Sequence, residues 1–135
     1  MRNKKIDNVN TSENSNYSEP DRATVYFMMG CHFLHNGDPE LAITAFTRSI
    51  NLEPENALAY DKRGIAYGDL ELYDEAIADF NQAIATDSDF AGAFNNRGLS
   101  FYRKSMLQEA IADYDRAIEL SSDIATFYGN RGLAR

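Results

Sequence analysis

The chain has 135 residues, 44% of them apolar and 25% charged, with a net charge of −8, which is the size and balance of one folded domain. Residues 57–90 hold eight acidic side chains against two basic ones, so the clustered basic surface that a phosphate backbone requires is missing and nucleic acid is not an expected partner. No run approaches the roughly 18 apolar residues of a membrane span, and a single cysteine, Cys31, excludes an internal disulfide framework.

Residues 1–22 open with basic side chains but have no apolar run behind them to form a secretory signal, which points to a cytoplasmic setting. Rich in Asn, Ser, Asp and Glu, they read as a disordered polar tail, because little apolar surface is available to offset the entropy of ordering them. From Ala23 a strict period begins. Gly30, Gly64, Gly98 and Gly132 lie 34 residues apart, and so do Ala42, Ala76 and Ala110. Aromatic residues keep step: Tyr26, Tyr60, Phe94 and Tyr128 precede each glycine, Phe33, Tyr67 and Phe101 follow it, and Phe46, Phe80 and Tyr114 come later in each unit. The repeats are 23–56, 57–90 and 91–124, followed by a partial fourth over 125–135.

Tyr60, Gly64 and Tyr67 fall at i, i+4 and i+7, and Ala76, Phe80, Ala83 and Ile84 form a second stripe of the same kind. This spacing predicts two helices per unit. The first link, "NGDPE", restarts a helix with Asp38 as cap, Pro39 in the first turn and Glu40 at the positive end. In the third unit Ser105 and Gln108 have capping-box spacing, whereas "LELYDE" in the second carries a weaker signal. The small residues permit close helix approach and the aromatics fill the space beside them.

A charge interrupts each apolar stripe. Arg63 lies between Tyr60 and Tyr67, Asp79 lies between Ala76 and Ala83, Arg97 and Asp113 repeat the arrangement, and the first unit has Met29 and Ala45 instead. This predicts ion pairs in one of two registers: Arg63 with Asp79 and Arg97 with Asp113, or Asp79 with Arg97 and Asp113 with Arg131.

The pattern Tyr60, Gly64, Tyr67, Ala76, Phe80, Ala83 resembles the tetratricopeptide repeat over residues 23–135. It departs from that family in having Tyr or Phe in place of its Trp, in keeping the closing Pro only as Pro54, and in Ser49 at a small-residue position. The resemblance implies an all-α, right-handed superhelical solenoid of antiparallel helix pairs, whose first helices line a concave groove that binds a peptide or partner protein. Solenoid physics agrees, since each pair buries its apolar face only against its neighbours and leaves an extended surface.

Candidate chemistry is sparse. Cys31, His32, His35 and Asp38 lie close together, with Cys31 and His35 on one helix face, but the chain has no other His or Cys to complete the ligand set of a zinc site, so no metal is expected. No nucleophile elbow, phosphate-binding glycine loop or metalloprotease motif occurs, so neither catalysis nor a cofactor is expected.

Rotating one residue from the core stripe gives a second stripe facing away from it. In the first unit this stripe is Phe27, Cys31, Leu34 and His35; in the second it is Asp61, Ile65 and Asp69; in the third it is Asn95, Leu99, Tyr102 and Arg103, with Asn96 beside them. These residues are the candidate ligand groove, and the gradient suits a peptide with an apolar anchor and a basic residue nearby. Family members that hold acidic chaperone tails use Lys, Asn and Arg at set groove positions. Here those positions read Phe27, Cys31, Lys62, Gly92 and Asn96, or, one unit on, Asp61, Ile65, Asn96, Thr126 and Asn130. Asp61 would repel a carboxylate, so that ligand is disfavoured. The leading reading is a scaffold or adaptor interaction module. The alternatives are a structural or self-associating solenoid, or an accessory part of a longer enzyme or secretion chaperone.

Overall fold

The computed structural model describes residues 18–121 and 125–135. Among them lie seven helices and no strand: α1 (Glu19–His35), α2 (Pro39–Leu52), α3 (Ala57–Asp69), α4 (Tyr73–Thr86), α5 (Ala91–Arg103), α6 (Leu107–Leu120) and α7 (Ala125–Ala134). Every helix packs on its sequence neighbours, and the odd-numbered helices α1, α3, α5 and α7 also touch one another in series. The result is an all-α solenoid of helix pairs, in which the odd helices form one continuous layer.

The first helix starts earlier than composition suggests. Residues 19–22, read from sequence as part of the polar tail, are helical because Ser18 caps them. Its Oγ accepts from the Asp21 amide at 3.3 Å and donates to the Asp21 carboxylate at 2.7 Å, a reciprocal cap that satisfies an orphan helix-end donor. The remainder of the proposed tail, residues 1–17, lies outside the described residues.

The three links within units are one structure repeated. Gly37, Glu71 and Ser105, each 34 residues from the next, adopt left-handed backbone with φ of 80°, 60° and 63°. In each, the following amide returns to the third-last carbonyl of the helix, as Asp38 to Phe33, Leu72 to Tyr67 and Met106 to Phe101, at 2.8–2.9 Å. This is the Schellman closure of a helix C-terminus. It corrects two cap assignments: Asp38 makes no side-chain cap bond, and Ser105 is the left-handed corner itself, with Met106 in the cap position of α6. "LELYDE" makes the same turn with Glu71 where glycine is favoured. Replacing Glu71 or Ser105 by Gly therefore relieves left-handed strain and raises stability by about 1 kcal/mol, to be read from the urea midpoint.

The 34-residue glycine column is explained by one contact. A Cβ built on Gly30, Gly64 or Gly98 would stand 2.5, 2.6 or 2.7 Å from the ring of Phe46, Phe80 or Tyr114. Those rings are fully or almost fully buried, and at that separation an added Cβ would force ring or helix to shift, so the position favours glycine. Ala42, Ala76 and Ala110 are completely buried for the same close approach. Gly132 departs from the column: nothing lies within 4 Å of its would-be Cβ, because no described helix follows α7 to bring an aromatic over it. Ser49, the residue at a small-residue position, is buried and donates to the Ala23 carbonyl at 2.8 Å, tying α2 to α1.

The ion pairs take the first register. Arg63 forks Asp79 through Nε at 2.8 Å and Nη2 at 2.7 Å, and Arg97 forks Asp113 at 2.8 and 2.6 Å. Both acids are buried. The remaining nitrogen of each guanidinium reaches back to the preceding unit, with Nη1 of Arg63 on Thr47 at 3.1 Å and Nη1 of Arg97 on Asn81 at 2.8 Å. Each arginine thus joins two successive even-numbered helices. The flanking aromatics hold the plane: Tyr60 and Tyr67 lie 5.9 Å from the Arg63 guanidinium, and Phe94 and Phe101 lie 5.4 and 5.9 Å from that of Arg97, within cation–π range. The bond to Asp79 holds Arg63 above its ordinary pKa. Arg131, which the other register would have paired with Asp113, bonds Asp115 at 3.1 Å; Asp115 occupies the Thr47 and Asn81 position of the third unit.

Candidate binding groove

Left-handed corners and glycine contacts fix each odd helix against its even partner, and this sets which side chains face the open side of the odd-helix layer. Between units two and three that layer contains a cavity of about 390 Å³, a volume suited to a side chain or small ligand group. Five of the sequence-assigned groove residues line it: Ile65 and Asp69 from α3, and Asn96, Leu99 and Arg103 from α5. Glu71, Tyr73 and Phe80 add to the wall, with Gly64, Gly68 and Ser100. Sequence reasoning missed Glu71, Tyr73 and Phe80 because they sit in the corner and on α4, although the Phe80 column, read there as core filler, was a usable signal. Ile65, Leu99 and Phe80 supply apolar surface to its lining, and the exposed side chains of Asp69, Glu71 and Arg103 supply charge. Partial burial raises the Asp69 carboxyl above its ordinary value.

The other assigned residues lie elsewhere. Phe27, Cys31 and Leu34 are half-buried, packing in part against the Ala42, Phe46 and Ala66 cluster, with Phe27 5.8 Å from the Phe46 ring. Burial pushes the Cys31 thiol up, against the opposing charge of Lys62, so it remains protonated at neutral pH. His35 is exposed at the end of α1, and Tyr102 packs on the Ala110 and Tyr114 cluster. Among the described residues, no three His, Cys, Asp or Glu side chains converge as a metal cluster, and no helix is long and apolar enough to cross a membrane.

Asp61 and Asn95 correct the sequence picture of an open polar stripe. Both are buried, each covered by the next odd helix. Asn96 donates to Asp61 Oδ1 at 3.0 Å, and 34 residues on Asn130 donates to Asn95 Oδ1 at 3.0 Å. These two bonds form a ladder along the odd-helix layer. Burial raises the Asp61 carboxyl above 3.8, with the Asn96 bond and the Lys62 charge opposing the shift. A raised acid contributes its stability below its ordinary value and loses it as pH rises through the folded value. Asp61→Asn reproduces the Asn95–Asn130 rung without the charge. Its expected result is a gain of about 1 kcal/mol at pH 7 that disappears near pH 3, compared by urea unfolding at the two values.

The geometry has relatives. Tetratricopeptide repeat family profiles match residues 23–56 and 62–124. The second tetratricopeptide repeat domain of Spaghetti (RPAP3), solved bound to an HSP90 peptide, is 32% identical over 76% of this chain and 94% of that one, with a TM-score of 0.73. The corresponding human RPAP3 domain, solved with an HSP70 peptide, is 28% identical over 83% and 97%, with a TM-score of 0.77. The first Spaghetti domain, also with an HSP90 peptide, is 25% identical over 85% and 91%, at 0.83. A search of curated proteins found no match. Repeat length, glycine and aromatic columns, helix-pair stacking and these likenesses converge, and the chain belongs to the tetratricopeptide repeat family.

Proposed function

We propose that this chain is an interaction module of the scaffold or adaptor kind, holding an extended peptide along the odd-helix groove. An apolar side chain enters the cavity between units two and three, and a basic residue lies against Asp69 and Glu71. The observation that carries this reading is the convergence of Ile65, Leu99 and Phe80 with two exposed acids at one cavity. An apolar anchor with a small number of charged rim contacts is the usual division between affinity and specificity. The similar domains hold HSP90 and HSP70 peptides, which supports a peptide ligand. An acidic tail fits this groove less well, since Asn96 already gives an amide hydrogen to buried Asp61 and Asp69 and Glu71 would face the tail's carboxylates.

A peptide array probed with the whole chain is expected to select sequences pairing an apolar residue with Lys or Arg. Asp69→Lys combined with Glu71→Lys should weaken the selected peptides at least tenfold and leave the helical circular dichroism unchanged. Equal binding by the double variant, or preferential selection of acidic tails, would overturn the assignment.

A further inference from the structure

Asp69 and Arg103 stand 34 residues apart, at the same repeat position on the successive odd helices α3 and α5. Both side chains are exposed and both line the cavity between units two and three. Opposite charges so placed have every electrostatic reason to close on each other. Among the described residues, however, neither takes part in an ion pair or a side-chain hydrogen bond. Burial raises the Asp69 carboxyl with no neighbouring cation acting against the shift. Lys104, the other cation at that corner, is taken by Asp74. The same two helices do bond directly one step off the repeat, from Asn96 to Asp61, so the two open charges are a property of this position and not of the whole junction. Each also lies one helical turn from an apolar residue of the same lining, Ile65 before Asp69 and Leu99 before Arg103.

We propose that the ligand is an amphoteric peptide, which bridges these charges by setting a basic residue at Asp69, an apolar residue in the cavity and an acidic residue at Arg103. The proposal rests on the groove reading above and gives Arg103 the role of selecting the acid. Packed helices lie about 8–10 Å apart. An extended chain rises about 3.3 Å per residue and turns alternate side chains to one face, so groove-facing residues fall at i, i+2 and i+4 and span about 13 Å. Flexible Lys, Arg or Glu side chains can lean inward from that span to the helix spacing. The motif is therefore base-x-apolar-x-acid, with the base at unit two and the acid at unit three. Turning such a peptide end for end would set its acid beside Asp69 and Glu71 and its base beside Arg103. Like-charge contact at both ends excludes that placement.

The probe is a library of end-capped nonapeptides with Lys, Leu and Glu at alternate central positions, in both charge orders, and a matched set with Gln for Glu. The tightest Glu member is titrated by fluorescence anisotropy into the full chain. Gln in place of its Glu is expected to weaken binding at least tenfold to the parent and to leave binding to Arg103→Gln unchanged. Arg103→Glu should weaken the Glu peptide at least tenfold, and Lys in place of the peptide's Glu should restore it. A misfolded chain could not be rescued by a change in the peptide. An arginine that only complements the C-terminal end of α5 would not distinguish Glu from Gln. Equal binding of the Glu and Gln peptides, or a Glu peptide indifferent to Arg103→Glu, overturns this proposal and leaves the groove reading standing. Absence of saturable binding by every set overturns both.

Discussion

Phe80→Ala lowers the unfolding free energy by about 4 kcal/mol, seen as a lower urea midpoint at nearly constant slope. The size follows from position. Phe80 is 2% exposed, and its ring lies against the bare backbone of Gly64, closer than any added Cβ could tolerate. The backbone on either side is held by helix hydrogen bonds and a Schellman corner, so the space cannot collapse, and the lost transfer energy is joined by a cavity term. The same ring walls the groove cavity. The variant should therefore also lose peptide affinity at temperatures where it remains folded, which couples a core position directly to recognition.

Asp79→Ala is expected to cost about 3 kcal/mol, more than the alanine's small gain in helix propensity can offset. Two charge-assisted bonds at 2.7 and 2.8 Å disappear, and a guanidinium whose side chain is only 18% exposed is left with Thr47 as its one hydrogen-bond partner. Replacing both partners is a different experiment. Arg63→Met with Asp79→Leu removes the stranded charge along with its acid, and is expected to unfold within about 1 kcal/mol of the parent. A double-mutant cycle from urea midpoints tests both values. Equal losses in the single and double variants would show that the stems of these side chains, and not their charges, carry the contact.

The 34-residue period made most of the fold readable. Gly64, Tyr67, Ala76 and Phe80 recur in a phase that only paired helices satisfy, so the architecture, the units and the two helices in each were recoverable from residue types alone. The corners were harder. Gly37 marks the left-handed residue in the first unit, but Glu71 and Ser105 adopt the same backbone without the glycine that advertises it. Tertiary packing imposes the turn, and local propensity is overridden. That is also why Asp38 and Ser105 looked like caps: they lie within the Schellman closure, which already satisfies the backbone groups a cap would serve.

The register of the ion pairs turned on geometry that spacing does not encode, since acids stood at comparable separations on either side of Arg97. The third hydrogen-bond arm, to Thr47, Asn81 and Asp115, was visible only as an unremarked polar column. Of the residues that a single rotation of the helical stripe assigns to the groove, Ile65, Asp69, Asn96, Leu99 and Arg103 come together around one cavity. Asp61 and Asn95 were placed on the same stripe but are buried, because a stripe on one helix says nothing of the next odd helix that covers it. Recognising the rungs Asp61–Asn96 and Asn95–Asn130 required comparing residues 35 apart, one step off the repeat.

The arginine forks have a consequence for how the chain acquires its shape. Each ties a unit only to the one before it, and the helix contacts run between near neighbours in sequence. Such a structure has low contact order, so folding is expected to be rapid and able to begin in any complete pair, then spread along the stack in both directions. Curvature of the groove is accordingly inherited one junction at a time. A change at the Arg97 junction would bend the third unit relative to the second and leave the first pair as it was, making each fork a separate adjustment screw on the spacing of the ligand contacts.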